Sequence, residues 1–510
     1  MDARSTRNIL DYLPLFLLVW TIGAVAMFVP AVFAMVQGNM AVARSFAFAA
    51  GLGLTLVTLV ALARASSKPR HGTLGQLLAL LGMFTILPAF LAVPVHDALG
   101  TTSFLNAYFD MVSAITTTGA TLFDDPARLP PSLHLWRALV AWLGGLLMWV
   151  AASAILAPLS LGGFEVTTRG QPGRSMVTPM HMTSADPRKR LTRITTTLAP
   201  VYAGLTLVIW VLLMISGETS LTGVIHAMSV MSTSGISPVG GLTEAQAGFQ
   251  GEMILFLFMF FALSRLTFSN DTATTGFSRL DKDPEFRIGL MLIIGLPVAL
   301  FLRHWWAAFD VDTSQNLMLA LRAFWGAMFT VMSFLTTTGF ESADWAEARQ
   351  WSGLGTPGLI LMGLALIGGG VATTAGGVKL LRVYALYLNG KREMEQLVHP
   401  SSVSGAGVGN RRIQKNGAFI AWVFFMLFAL SLALITVTLA ALGSSFDQAL
   451  VLSIATLSTT GPLIDIAAES PIHLAEMGDA AKVVLCAAMV LGRLETLAII
   501  ALFTPDLWRN

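Results

Sequence analysis

Apolar runs long enough to cross a bilayer alternate along the chain with shorter ones, and the short runs end in small hydroxylated residues and a glycine. The long runs cover residues 9–36, 41–63, 74–95, 133–161, 194–215, 252–266, 287–309, 357–388, 414–442 and 480–503. Between them lie runs 103–114, 221–231, 316–335 and 446–457, each leading straight into a threonine- or serine-rich stretch. The run 103–114, about a dozen residues, falls short of the roughly 20 that a spanning helix needs and fits a re-entrant helix. The pattern predicts an all-α integral membrane protein of ten spans and four half-spans, with both termini on one side. Its boundaries suggest an N-terminal accessory pair (1–70) and four helix–pore loop–helix repeats at 71–165, 190–280, 285–395 and 411–510 around one pore.

The four stretches after the short runs are Ile115-Thr116-Thr117-Thr118-Gly119, Met231-Ser232-Thr233-Ser234-Gly235, Leu335-Thr336-Thr337-Thr338-Gly339 and Leu457-Ser458-Thr459-Thr460-Gly461. Their glycines recur at intervals of 116, 104 and 122 residues, the mark of one unit repeated four times. A cation filter replaces the ion's water with main-chain carbonyls, and small residues ending in glycine let extended backbone crowd an axis. Thr117, Thr118, Gly119, Thr233, Ser234, Gly235, Thr337, Thr338, Gly339, Thr459, Thr460 and Gly461 are therefore the candidate cation ligands.

Composition agrees: 55% of the 510 residues are hydrophobic and 12% charged, about half the charge of a soluble domain. One cysteine, Cys486, excludes an internal disulfide and a multi-cysteine metal site. The short basic N-terminus resembles a secretory signal, but the apolar run after it is too long for one and reads as a retained span. A net charge of +2 carries no indication of nucleic acid. Basic residues collect in the loops between repeats (Arg169, Arg174, Arg188, Lys189, Arg190, Arg193; Arg279, Lys282, Arg287; Arg382, Lys391, Arg392, Arg411, Arg412, Lys415) and with Arg4, Arg7, Arg64, Lys68, Arg70 and Arg509 mark the cytoplasmic side. Acidic residues collect on the filter side: Asp124, Asp125, Glu218, Glu244, Asp310, Asp312, Glu341, Asp344, Glu347, Asp465, Glu469, Glu476 and Asp479. Singly these are ordinary loop carboxylates; as a set they describe an outer mouth that attracts cations.

Two features mark the region beneath the filter. Gly368, Gly369, Gly370, Gly376 and Gly377 sit inside the apolar run 357–388, where each glycine costs about 1 kcal/mol of helix stability relative to alanine. That run should break into two helices around an irregular loop, which at membrane depth must face a cavity or packed protein. A gate and a close helix packing through small residues both fit. Arg493, inside the last span, is costly in lipid unless it faces water or a partner, and Glu495 two residues on is poorly placed to pair with it. Lys379, just after the glycines, has the same status or snorkels to the surface.

These motifs in order, with Gly144-Gly145, the run Asp283-Pro284-Glu285-Phe286-Arg287, Leu397-Val398-His399-Pro400, Gly492-Arg493-Leu494-Glu495 and Phe503-Thr504-Pro505, resemble the Trk/Ktr/HKT superfamily of potassium transporters, nearest its bacterial TrkH branch. The resemblance covers essentially the whole chain. It implies K+ as the transported ion, a homodimer in the bacterial inner membrane with both termini cytoplasmic, and no nucleotide bound by this chain itself. It also implies a TrkA-like cytosolic regulatory subunit that binds NAD and ATP or ADP, a flexible gating loop at 368–377, and an arginine at 493 projecting into the cavity below the filter. Members that conduct Na+ carry serine at the first filter glycine; this chain has Gly119, which implies K+. Ile236-Ser237-Pro238 and Leu463-Ile464-Asp465 depart from the family's usual filter exits.

Other classes fit less well. The eight histidines form no helical i, i+4 pair and no zinc-protease motif, which argues against an enzyme. A secondary K+ symporter coupled to H+ or Na+, or a Na+-permeable relative, is the main alternative, but carrier repeats are usually two and often inverted.

Overall fold

A computed structural model describes residues 15–63, 73–157, 187–264, 283–307, 317–353, 356–399, 415–468 and 470–495. These residues form helices and connecting turns, with no strand among them. Among the described residues, eight helices are long and apolar enough to cross a membrane. The protein is a multi-pass membrane protein.

Two antiparallel spans come first. One is broken at Met27 into α1 (Leu15–Ala26) and α2 (Phe28–Val36), and α3 (Met40–Ala63) returns. Four units of like construction follow, each with an entering helix, a pore helix, a filter and a second helix. Unit one has α4 (Thr73–Thr85) and α5 (Leu87–Leu99), pore helix α6 (Phe104–Ile115) and α7 (Pro131–Ala151). Unit two has α8 (Pro187–Ile215), α9 (Ser220–Ser232) and α10 (Gly248–Met259); unit three has α11 (Pro284–Ala307) and α12 (Leu317–Leu335). In unit three a surface helix, α13 (Trp345–Ser352), precedes a second helix split into α14 (Gly358–Ile367) and α15 (Leu380–Val398). Unit four has α16 (Lys415–Ala441), α17 (Phe446–Leu457), the one-turn α18 (Leu463–Ala467) and α19 (Asp479–Leu494).

The units close into a ring. Each second helix packs against the next unit's pore helix: α7 on α9, α10 on α12, α14 on α17, and α19 back on α6. The filters are thereby brought to one centre, with the pore helices' C-terminal ends, negative by their dipoles, turned toward it.

Three pore helices begin with the same cap. Ser103, Thr219 and Ser445, in extended conformation, accept the N–H of the residue three further on at 3.2–3.3 Å. That capping satisfies one of the first-turn donors that would otherwise lie bare.

Four details depart from the sequence pattern. Helix α5 runs through Pro94 and stops at Gly100, whose φ of +61° ends it with an N–H to His96 O. A π-turn, Ala152–Leu156, extends α7. Helix α12, with 19 residues, is long enough to count as a span although it serves as a pore helix, and it packs on α11. Of the ten expected spans, the second helices of units two, three and four are shorter or broken, so length alone misses them. Arg169, Arg174, Arg279, Lys282, Arg411 and Arg412 lie outside the described residues, as do Arg4, Arg7, Arg64, Lys68, Arg70, Arg509, Asp310, Asp312, Glu469 and Phe503-Thr504-Pro505.

Candidate functional site

Each pore helix ends in the same backbone device. Thr117, Thr233, Thr337 and Thr459 all adopt left-handed backbone, with φ of 53–57°. The next residue's N–H (Thr118, Ser234, Thr338, Thr460) reaches back five residues to Ser113, Ser229, Ser333 or Ala455 O at 2.8–3.0 Å, while the left-handed threonine itself bonds three residues back. This is a Schellman closure, in which the left-handed place normally belongs to glycine. A β-branched residue there is strained, and strain of this kind persists only where surrounding contacts enforce it.

The closure turns the filter N–H groups back toward the pore helix and leaves carbonyls free. Among the described residues no hydrogen bond reaches the carbonyls of Thr117, Thr233, Thr337 or Thr459, nor those of Gly119, Ser234, Gly235, Thr338 or Gly339. Thr118 O, by contrast, accepts Gly461 N–H at 2.6 Å, Thr460 O accepts Leu463 N–H at 3.1 Å, and Gly461 O accepts Ile464 N–H at 2.9 Å. The fourth filter therefore spends two of its own oxygens on the turn into α18 and donates to the first filter.

Side chains lock the rest. In every unit the first hydroxyl (Thr116, Ser232, Thr336, Ser458) donates to the carbonyl four residues back at 2.6–2.9 Å. It also meets the third-position hydroxyl at 2.8–3.2 Å. All twelve candidate ligands except the glycines are at most 1% exposed. Among the described residues the buried hydroxyls of Thr117 and Thr459 meet no partner, whereas Thr337 Oγ1 accepts Gly376 N–H at 2.7 Å.

The glycines make the convergence possible. A Cβ placed on Gly119 would lie 1.7 Å from Ser234 O, one on Gly235 2.3 Å from Thr338 O, one on Gly339 3.0 Å from Pro462, and one on Gly461 2.1 Å from Ala120 N. The contacts run from unit one to two, three, four and back to one. Behind the ring, Gly144 and Gly492 let α7 and α19 press on Ile115 O and Leu457 O, at 2.0 and 2.3 Å from where their Cβ atoms would stand.

Against the filter's first residues lies the loop 368–379. Its neck is closed by Val378 N–H to Leu366 O, Lys379 N–H to Ile367 O and Leu380 N–H to Gly369 O at 2.9–3.0 Å, so the helix resumes where it left off. Gly368 and Gly377, with φ of +72° and +76°, turn the chain out and back. Different units hold the loop: Gly370 N–H bonds Ala262 O, Val371 N–H bonds Glu285 Oε1 at 2.8 Å, and Thr374 Oγ1 bonds Met231 O at 3.2 Å. Arg493 donates Nη1 to Thr374 O at 2.7 Å. Lys379 folds back to Ala375 O.

Of the seven predicted loop and charge positions, Gly376, Lys379 and Arg493 line a small cavity together with Met148, Ala152, Thr373 and Glu495, while Gly368, Gly369, Gly370 and Gly377 form the rest of the loop. Glu495 pairs with Arg382 at 2.6 Å, and the Arg382 guanidinium lies 3.6 Å from the centre of the Phe424 ring. Sequence spacing missed that pair, along with Glu285 and Thr374, because their partners lie on other elements. Ser113, Ser229 and Ser333 were also missed, although their shared offset of six residues before each filter glycine was visible.

On the opposite side, His473 Nδ1 meets Asp124 Oδ2 at 2.7 Å and joins the exits of the first and fourth filters. That partner raises the histidine's pKa. The Asp465 carboxyl is pushed up to about 6, chiefly by crowding protein and then by the Asp124 carboxylate, with His473 opposing.

Comparison with known proteins agrees with this geometry. The TrkH family, described as cation transport protein, matches residues 92–509. The crystal structure of the potassium transporter TrkH from Vibrio parahaemolyticus aligns over 98% of this chain and 100% of its own, with TM-score 0.79 and 25% identity. The Trk system potassium uptake protein TrkH of Halomonas elongata is 31% identical over 479 residues, 91% of this chain and 92% of that protein. Its Escherichia coli K12 counterpart is 29% identical over 475 residues, covering 90% and 93%. A ring of four strained filters on a helical scaffold, matched along nearly its whole length by transport proteins, is not an enzyme: the chain belongs to the TrkH family of cation transport proteins.

Proposed function

We propose that this chain takes up potassium across the bacterial inner membrane through a gated, K+-selective pore, as the translocating subunit of a Trk-type system. The observation that carries the reading is the closed circuit of filter glycines with unbonded carbonyls beside it. Neutral oxygens crowded around an axis suit a monovalent cation that must shed its water and leave again. The twelve filter residues form the ion path, and its ion-facing oxygens come chiefly from Thr117, Thr233, Thr337 and Thr459 with Gly119, Gly235 and Gly339. Potassium as cargo accords with the names of the Halomonas and Escherichia relatives, both potassium uptake proteins.

The loop 368–379 is the gate. Arg493 and Lys379 put positive charge in the cavity a cation must cross, and in a poorly hydrated passage that charge is a strong barrier. Conduction then requires the loop to leave Arg493 and Thr337. The four repeats carry the boundaries 71–165, 190–280, 285–395 and 411–510. The chain works as a homodimer with both termini cytoplasmic, and the name Trk system fits a cytosolic TrkA-like subunit that binds NAD and ATP or ADP and opens the gate. The test is rescue of growth at low K+ in a bacterium lacking its own K+ uptake, with and without such a subunit. Growth restored by the pair, and lost on replacing Gly119, is the expected result; no rescue and no K+ flux from purified protein in liposomes would overturn it.

A further inference from the structure

The four filters leave the ring in different ways. In unit one Ser113 Oγ holds Ala120 O at 2.7 Å, and in unit two His226 Nε2 meets Ser237 Oγ at 2.9 Å, while Ser237 Oγ donates to Gly241 O at 3.0 Å. In unit four the turn into α18 is closed by main chain alone. Each of these ties is local and uncharged.

Unit three is held from outside. Glu252, 4% exposed, belongs to α10 of unit two. Its carboxylate accepts Ala343 N–H at 2.7 Å on Oε1, and Ser342 Oγ and Trp325 Nε1, each at 2.8 Å, on Oε2. Ser342 and Ala343 are the third and fourth residues beyond Gly339, and Trp325 lies on that unit's pore helix. The approach is shaped on both sides. Phe249, Glu252 and Phe256 share one face of α10, and the two phenylalanines lie 5.0 and 5.3 Å from Trp325. Gly326 leaves room for Asp344, whose carbonyl would stand 2.4 Å from a Cβ there. A buried carboxylate is costly unless its lone pairs are met, and here three donors from one neighbouring unit meet them.

We infer that Glu252 is a positioning residue for the third filter: by fixing Ser342 and Ala343 from unit two it sets where the carbonyls around Gly339 point, and so tunes cation selectivity. The inference rests on the filter reading above.

The experiment uses the full chain in liposomes, measuring K+ and Na+ flux under matched gradients, with protein amount and elution profile recorded for each variant. Glu252→Gln keeps the shape but turns an NH2 group toward groups that themselves donate. It should lower the K+/Na+ permeability ratio about tenfold while leaving amount and elution as in wild type. Glu252→Asp should recover part of that ratio. Trp325→Phe and Ser342→Ala, each removing one of the three donors, should lower the ratio about two- to threefold and serve if the glutamine variant does not fold. An unchanged ratio in Glu252→Gln, or in both donor variants, overturns the inference even if total flux falls, since a purely structural tie would lose protein rather than selectivity. Wild-type protein that does not discriminate K+ from Na+ would overturn the filter reading, and this inference with it.

Discussion

The filter ring and the loop beneath it are built from similar residues, glycine with threonine and alanine, and both carry irregular backbone in the buried centre of the molecule. They differ in what holds them. Every filter segment is closed onto its own pore helix by the same main-chain and hydroxyl bonds, four times over, and the four interlock where no Cβ fits. The loop occurs once, and its outward contacts are single bonds to other elements: Ala262, Glu285, Met231, Thr337 and Arg493. Repetition makes a rigid ring, whereas a segment held by separate single contacts can let go when they are outbid. Such local stability differences are what a conduit with a fixed filter and a moving gate requires.

The largest effect should come from disturbing the ring. In Gly119→Ser the new Cβ meets Ser234 O at 1.7 Å, and φ of +77° adds strain of about 1–2 kcal/mol for a residue with a side chain. The first and second filters must then move apart. Na+ permeability should rise and the K+/Na+ ratio in liposome flux fall at least about tenfold. An unchanged ratio would count against a rigid ring.

Next comes the loop's charged tie. Arg493→Ala removes a hydrogen bond from a charged donor, about 1.5–3 kcal/mol, which shifts the closed-to-open ratio about ten- to a hundredfold. Basal K+ flux without a regulatory subunit should rise, with selectivity kept. Thr337→Val is a gentler version. It keeps the branched shape at the filter but takes away the acceptor for Gly376 N–H, about 1 kcal/mol, so basal flux should rise about fivefold. Thr337→Ser should behave as wild type. If both valine and alanine variants leave basal flux unaltered, the loop is no gate and the two regions are equally fixed.

How far the sequence reached follows the same division. The filters, pore helices and broken helix were legible because their signals are local: a repeated motif, an apolar run of fixed length, a cluster of glycines. The accessory pair and entering helices followed from hydropathy. Contacts between units were not legible, since nothing in the order of residues brings Glu252 to Ala343 or Arg382 to Glu495. Arg493 was singled out by its cost in lipid, but its acceptor, a carbonyl 119 residues earlier, has no sequence signature. The capping serines and threonines of the pore helices and the serines six residues before three filter glycines were within reach once the repeats were set side by side. The loss of Thr118, Thr460 and Gly461 carbonyls to main-chain donors depends on how α18 folds, and spacing is silent there.

The smallest effect belongs to the outer mouth, at the exits of the first and fourth filters. Asp465 binds its proton more readily than a free aspartate, so the mouth carries this charge at neutral pH and loses it as pH falls through about 6. His473, raised by Asp124, takes up its proton at higher pH than a free histidine does. Loss of the Asp465 charge makes the mouth less negative, and a less negative mouth gathers fewer cations when K+ is scarce. Uptake at low external K+ should therefore fall about twofold as external pH drops from 7 to 5, and the fall should shrink at high K+ or high ionic strength, where steering is screened. Asp465→Asn should show the reduced uptake already at neutral pH and a flatter pH profile, with basal gating and the K+/Na+ ratio untouched. A profile as steep in the asparagine variant as in wild type would assign the pH dependence to another group and leave the mouth's charge without a role in uptake.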